Sequence, residues 1–368
     1  MKTKFIMALA ATALLSACAS DDPKTPGNPD VPGTSAPTGA YLLCAGNYDQ
    51  NNAALDFFNP QYPDELTTKV FSSTNGRALG SNANDMTIHG KKMYIVVSTS
   101  NTLEITDLRA KAIKTLNFVN EAGQPQEPRY VTAAGSKVYV SLYDGNVAVV
   151  DTASLTITKR IPVGPNPEEL CVIGDRLYVA ESGGANWEGG YNNTVGVINL
   201  ATETRIGEIT VGTNPNRVAA DQNGNLYVLT FGNYFDEPNK LTRINPATLN
   251  DETLNAETVA TASQILFSVG SDRVYVYCAT QENWVVTEKH IAWFSTVAGD
   301  NKGAVFLTDE QTPADVYSLS ANPADNSLYV GSTDYTTYGS FTAFAADGST
   351  LAHHGLSSIN PQGAWFVR

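Results

Sequence analysis

Cysteine and histidine are scarce in this 368-residue chain, with four of each: Cys18, Cys44, Cys171 and Cys278, and His89, His290, His353 and His354. The cysteines are far apart and form no CxxC pair or metal knuckle, so neither a disulfide framework nor a zinc site is indicated. A histidine-based triad has equally little material. Charge is sparse at 16% of residues, and basic charge especially so: 23 Lys+Arg stand against 37 Asp+Glu, a formal net charge of −14. A surface of that sign repels phosphate backbones and excludes nucleic acid as a partner. No Gly-x-Ser-x-Gly elbow, Gly-rich phosphate loop or sustained 3.6-residue apolar period occurs. What abounds is 29 Gly, 18 Pro, 17 Tyr and 42% hydrophobic residues, which together imply many turns and a sizeable core.

Residues 1–17 combine a basic start (Lys2, Lys4), an apolar stretch from Phe5 to Leu15 and small residues before Cys18, the layout of a signal peptide. The LSAC tetrapeptide (15–18) resembles the bacterial lipobox, which makes Cys18 a lipid-anchoring residue rather than a thiol. Ala19-Ser20-Asp21-Asp22 resembles the acidic export tag of Bacteroidetes surface lipoproteins, and a cell-surface, outer-membrane location is expected. Residues 18–38 form the lipidated cysteine and tether, of which the proline-rich stretch 23–38, poor in large apolar side chains, reads as an extended segment of roughly 50 Å.

Residues 39–368 repeat. A strand built on an aromatic recurs as AYLLCAG (40–46), KMYIVVS (92–98), KVYVSLY (137–143), RLYVAES (176–182), NLYVLTF (225–231), RVYVYCA (273–279) and SLYVGST (327–333). VAVVDTASLTITKRIPVGPNPEEL (147–170) aligns without a gap on VGVINLATETRIGEITVGTNPNRV (195–218). Each unit reads as four strands: one after an Asn-Pro turn, one carrying the tyrosine, one ending in Val-Asp or Ile-Asn, and one ending in Val-Gly. Seven such units predict an all-β, seven-bladed propeller. The terminal INPQGAWFVR (359–368) starts a unit without a Tyr strand, whereas AYLLCAG is a Tyr strand lacking its predecessor. One blade closed by both termini is expected, which hides the edges of an open ring. Segment 281–310 in blade six departs most from the pattern.

Propeller topology gathers the loops before the first strand and between the second and third strands on one face. The first set offers Asp85, Arg129, Glu168, Glu169, Asn216, Arg217, Gln264, Asp315 and Gln362 as a polar funnel of mixed sign. The second set comprises GNYDQNNA (46–53), GGANWEGGYNN (183–193), GNYFDEPNK (232–240), TQENWVVTEKH (280–290) and TDYTTYG (333–339). From these, Asn47, Tyr48, Trp187, Tyr191, Tyr234, Phe235, Trp284, Tyr335 and Tyr338 are candidate ligand-binding residues, with Arg77 and Tyr143 beside them. Flat aromatic faces next to Asn and Gly suit a planar or ring-shaped ligand. A cation-dependent hydrolase would need converging groups such as Glu168, Asp315 and Asn216. His290 is the one histidine expected near this face.

The VGPNP and VGTNP turns with their LYV and VVD strands resemble the YncE-like seven-bladed propellers. AGNYDQNNAALDFFNP (45–60), NGRALGSNANDM (75–86), NPADNSLYVGSTDYTTYG (322–339) and NPQGAWFV (360–367) are similar to the BtuG-type surface lipoproteins of gut Bacteroides. That resemblance implies non-catalytic capture of cobalamin or another corrinoid, with no catalytic cofactor, and delivery to a TonB-dependent outer-membrane transporter. A propeller binding a glycan or a protein partner is the alternative reading.

Overall fold

The computed structural model describes residues 38–248, 256–282, 285–297 and 303–367. The expected leader, Cys18 and the tether through residue 37 lie outside the described residues, as does Trp284. The described strands form seven four-stranded antiparallel sheets. Blade four is representative: Pro167–Ile173, Arg176–Glu181, Thr194–Asn199 and Thr204–Thr210 follow one another outward from the channel. Closure is as expected. Pro361–Val367 pairs antiparallel with Gly39–Cys44, so blade one takes its innermost strand from the C-terminal end and its other three from the N-terminal end. Asp56 reinforces the seam: its carboxylate accepts the N–H groups of Lys69 (2.7 Å) and Ser357 (2.8 Å).

The second strands read as unbroken apolar runs because both of their faces are buried. Alternate side chains point to opposite neighbours: Met93, Ile95 and Val97 pack toward blade one, while Tyr94 and Val96 pack toward blade three. One apolar cluster forms at each of the seven blade interfaces. The recurring tyrosines, Tyr41, Tyr94, Tyr139, Tyr178, Tyr227, Tyr275 and Tyr329, are each at most 3% exposed, and each faces the following blade. Their aromatic bodies fill the interface, and their hydroxyls must find partners there. Tyr41 donates to the Leu108 carbonyl at 2.7 Å and Tyr275 to that of Asn326 at 2.6 Å.

The Asn-Pro signal has a backbone meaning. In six blades the residue before the first strand has a left-handed φ: Asn82, Glu127, Asn166, Asn214, Asp315 and Asn360, all between 48° and 60°. Asn and Asp tolerate that conformation best among residues with a side chain. The first strand then carries a bulge against the second in each of these blades. Blade six departs from this pattern, since Gln264–Val269 pairs with Arg273–Glu282 in unbroken register. The expected loop at 280–290 is corrected here. Arg273–Glu282 and Val285–Ser295 continue as paired strands, with Thr280 opposite Glu288 and Glu282 opposite Val285. The β-branched run Val285-Val286-Thr287 favours this extension of the ribbon.

The Tyr94 hydroxyl is buried without a hydrogen-bond partner among the described residues. An unsatisfied buried hydroxyl costs ~1–3 kcal/mol, whereas its removal leaves the ring packing intact. Tyr94→Phe is therefore expected to leave stability unchanged or raise it by up to ~1 kcal/mol in urea unfolding, while Tyr41→Phe lowers it by ~1 kcal/mol. Equal losses in both variants would contradict the assignment.

Candidate functional site

Backbone bonds bring the two expected sets of loops onto one face. The N–H groups that follow the second strands reach the turns before the first strands: Ser98 to Asn82, Tyr143 to Glu127, Ser182 to Asn166, Phe231 to Asn214 and Thr333 to Asp315, at 2.9–3.2 Å. Below this face a cavity of about 500 Å³ runs down the ring axis. Asn84, Asp85, Tyr130, Glu169, Arg217 and Gln362 supply its polar lining, and Phe267, Leu319, Trp365 and Phe366 are among its apolar walls.

Charges at the channel mouth are paired across neighbouring blades. Arg129 donates from Nε to Glu168 Oε2 at 2.9 Å. Arg217 makes a fork to Glu169, with Nε to Oε2 at 2.7 Å and Nη2 to Oε1 at 3.1 Å. Tyr130 lies between the two guanidiniums, 6.0 Å from Arg129 and 5.6 Å from Arg217, and Tyr143 flanks Arg129 at 5.3 Å. Burial lowers both arginine pKa values, but the adjoining glutamates outweigh it and hold them above the ordinary value. Burial pushes the Tyr143 hydroxyl up to about 12. Burial also raises the Glu168 carboxyl, against the pull of Arg129.

Asp85 is half-buried and lines the channel cavity. Its Oδ2 accepts the Val131 N–H at 2.8 Å. Burial pushes its carboxyl up to about 8, with Glu169 adding to the shift and Arg217 opposing it. The group therefore holds a proton in the fold across a pH range in which the unfolded chain has released it.

Aromatic side chains stand above this mouth. Tyr48, Trp187 and Phe235 are 76%, 67% and 94% exposed, and Tyr234 and Tyr335 are also exposed. Their loops are held by side-chain bonds. Asn52 and Asn47 exchange bonds of 2.8 Å, and Asn166 Oδ1 accepts the Ala185 N–H at 3.1 Å just before Trp187. Asn233 Oδ1 gathers the N–H groups of Phe235, Asp236 and Glu237. Tyr234 and Tyr335 have φ of 64° and 62°, a costly conformation for an aromatic residue that persists where the surroundings impose it. Tyr191 packs edge-on against Tyr234 at 5.8 Å, and Tyr317 against Tyr335 at 5.8 Å.

Several candidates lie elsewhere. Arg77 sits over blade two, bonded to both oxygens of buried Glu104 and stacked 4.8 Å from the Phe71 ring. Gln264 accepts a bond from Gln281 at 3.3 Å and does not line the channel cavity. Asp315 is the left-handed turn residue itself, and with Tyr338 it lines a separate groove on blade seven. His290 is an exposed strand residue opposite Cys278. Among the described residues no group of three or more His, Cys, Asp or Glu is placed to hold a metal.

Tyr130 and Tyr317 are not among the candidates that the sequence offers. Both lie on first strands just past the turn, in the stretch that supplies Arg217 and Gln362, and superimposing the repeats at that turn would have exposed them. Gln362 Nε2 donates to the Tyr317 hydroxyl at 3.1 Å, which links the funnel to the aromatic rim.

The fold defines a seven-bladed β-propeller whose channel face is polar and rimmed with aromatics. The chain belongs to the family described as a domain of unknown function, DUF5074, which matches residues 38–343. No curated protein matches it in sequence. Among solved structures it is similar to the hydrazine synthase of Kuenenia stuttgartiensis, at 17% identity over 76% of this chain and 88% of that one, with a TM-score of 0.61. A quinoprotein alcohol dehydrogenase-like protein from Bacteroides thetaiotaomicron is 15% identical over 89% and 78%, with a TM-score of 0.61. A hypothetical selenium-binding protein from Sulfolobus tokodaii is 11% identical over 90% and 94%, with a TM-score of 0.62. At these identities the likeness shows the fold alone.

A carboxyl near 8 in the fold and near 3.8 when unfolded contributes stability that is complete below about pH 4 and lost as the pH rises through about 8. Asp85→Asn keeps an acceptor for Val131 and cannot ionise. The fall in Tm between pH 5 and pH 8 is expected to be smaller in this variant than in the wild type, by roughly 2–4 °C for each kcal/mol involved. Parallel pH profiles for the two proteins would refute the assignment.

Proposed function

We propose that this propeller is a surface-exposed, lipid-anchored binding protein that captures a corrinoid on its channel face and passes it to a TonB-dependent outer-membrane transporter, without catalysing a reaction. The observation that carries the reading is the set of exposed aromatics, Tyr48, Trp187, Tyr234, Phe235 and Tyr335, held above a channel mouth of paired opposite charges. A corrinoid is a broad disc fringed with amides. Its faces suit aromatic contact, and its amides need donors and acceptors in comparable number. The disc would lie across the face, since the cavity of about 500 Å³ beneath is lined on all sides by first strands. Loops already fixed by internal bonds lower the ordering cost of binding.

Catalysis by the groups at the mouth is disfavoured by their pairing. Glu168 and Glu169 are each engaged by an arginine, which removes them as free bases or cation ligands. Anchoring rests on the LSAC tetrapeptide and Cys18, and transfer to a transporter rests on the resemblance to BtuG-type lipoproteins.

Purified protein mixed with cyanocobalamin and desalted is expected to retain corrin absorbance, and a colourless protein fraction would sink the proposal. Trp187→Ala and Tyr234→Ala should each speed release at least tenfold with little change in association, because interface substitutions act mainly on dissociation. Unchanged dissociation in both would move the site elsewhere. Cys18→Ala should shift the protein from the membrane to the soluble fraction of cells.

A further inference from the structure

A second recess, of about 510 Å³, lies in blade seven between the turn before its first strand, the loop after its second strand and its two outer strands. Comparison of the blades explains why it is open. In blade four, the last residue of the second strand is Glu181, fully buried opposite Thr194, and Arg205 of the fourth strand donates to it at 3.1 Å. Glu208, opposite Gly196, holds the same arginine at 2.6 Å, and the Gly164 N–H closes the set on Glu181 at 2.7 Å. Blade two fills the corresponding space with Glu104, Arg77 and Thr115, and blade three with Arg160 and Gln126.

Blade seven has the same register with smaller side chains. Ser332 stands opposite Ser340 where blade four has Glu181 opposite Thr194. Thr350 pairs with Phe344 where Arg205 pairs with Ile198, and His353 with Thr342 where Glu208 pairs with Gly196. Serine and threonine thus replace the buried carboxylate and arginine, and the cleft remains as solvent-accessible space.

Its chemistry is specific. The hydroxyls of Ser332, Thr333, Thr337, Ser340, Thr342 and Thr350 line it together with His353, with Thr337 donating to Asp334 at 2.8 Å and Thr342 bonded to His353 at 2.9 Å. Asp315 and Asp334 add acceptors at the rim. The carboxyl of Asp334 is held below its ordinary value by the N–H groups of Thr337 and Thr336, so it is ionised at neutral pH. The Tyr338 ring, 64% exposed, gives the groove one flat apolar side. A ligand that meets many hydroxyls, two carboxylates and one aromatic face must itself be rich in hydroxyl groups, carry no negative charge and present an apolar face. We infer that the blade-seven groove is a binding site for a neutral saccharide, separate from the channel cavity, with which it shares no lining residue.

The test uses the full chain, fluorescently labelled, on an array of neutral and acidic glycans, with hits measured by saturation-transfer NMR and titration. Binding of neutral glycans is expected, with contacts broadened by Tyr338. Thr350→Arg places the guanidinium where blade four carries its own, and should weaken binding of the array hits more than tenfold while Tm and cyanocobalamin retention stay at wild-type values. Tyr338→Ala should weaken them at least fivefold, which gives a second measure if Thr350→Arg does not fold. Absence of any neutral glycan hit, hits unaffected by the folded variants, or binding of N-acetylarginine amide in place of glycans would each overturn the inference.

Discussion

Every blade leaves one edge of its first strand facing the channel, and the backbone groups of that edge have no neighbouring strand to pair with. The ring satisfies part of this edge with side chains from the preceding blade. Asp85 accepts the Val131 N–H, Glu169 that of Val218, Ser268 that of Ala321 and Ser320 that of Ala364, at 2.8–3.0 Å. Buried N–H groups must be paired, so polar side chains are required at the centre of an otherwise apolar molecule. The polar funnel is a structural necessity before it is a binding surface.

That necessity has electrostatic consequences. Carboxylates placed at the axis lose water, and the fold compensates by pairing Glu168 with Arg129 and Glu169 with Arg217 across successive blades. Glu168 is buried and the other three partners are half-buried, so removing Arg129 leaves a buried carboxylate without its partner. Asp85 has only a distant share in Arg217, and its shift toward about 8 follows. The mixed charge offered to a ligand is therefore rigid, and the adaptable part of the face is the aromatic rim.

Much of the fold was legible because the same physical problem recurs seven times. A second strand buried on both faces requires an apolar run with a large aromatic, and the spacing of Tyr41 through Tyr329 counted the blades. The Asn-Pro turns marked the left-handed residue ahead of three of the six bulges, at Asn166, Asn214 and Asn360. Blade six carries a weaker signal, since neither the left-handed turn nor the first-strand bulge occurs there, and the polar and aromatic residues of 280–290 resemble a loop although Val285, Val286 and Thr287 favour a strand. The site was legible as a face and less so as a set of residues. Arg77 is adjacent to the rim in sequence, yet its guanidinium is drawn to buried Glu104. Asp315 falls in the expected stretch, but it lines the blade-seven groove and not the channel cavity.

The sequence by itself determined the class, the blade number and the closure of the ring, because these depend on periodicity and on which strand lacks its neighbour. It also determined that the central face would be polar and aromatic. Only the tertiary structure decided which charges meet, since Arg129–Glu168 and Arg217–Glu169 join residues one repeat apart whose directions depend on the curvature of the ring. It alone separated Tyr335, packed toward the channel on Tyr317, from Tyr338 three positions on, which lines a different cavity. Neighbouring loop residues diverge in this way because a tight turn reverses side-chain direction within a few residues, and linear spacing carries no record of that reversal.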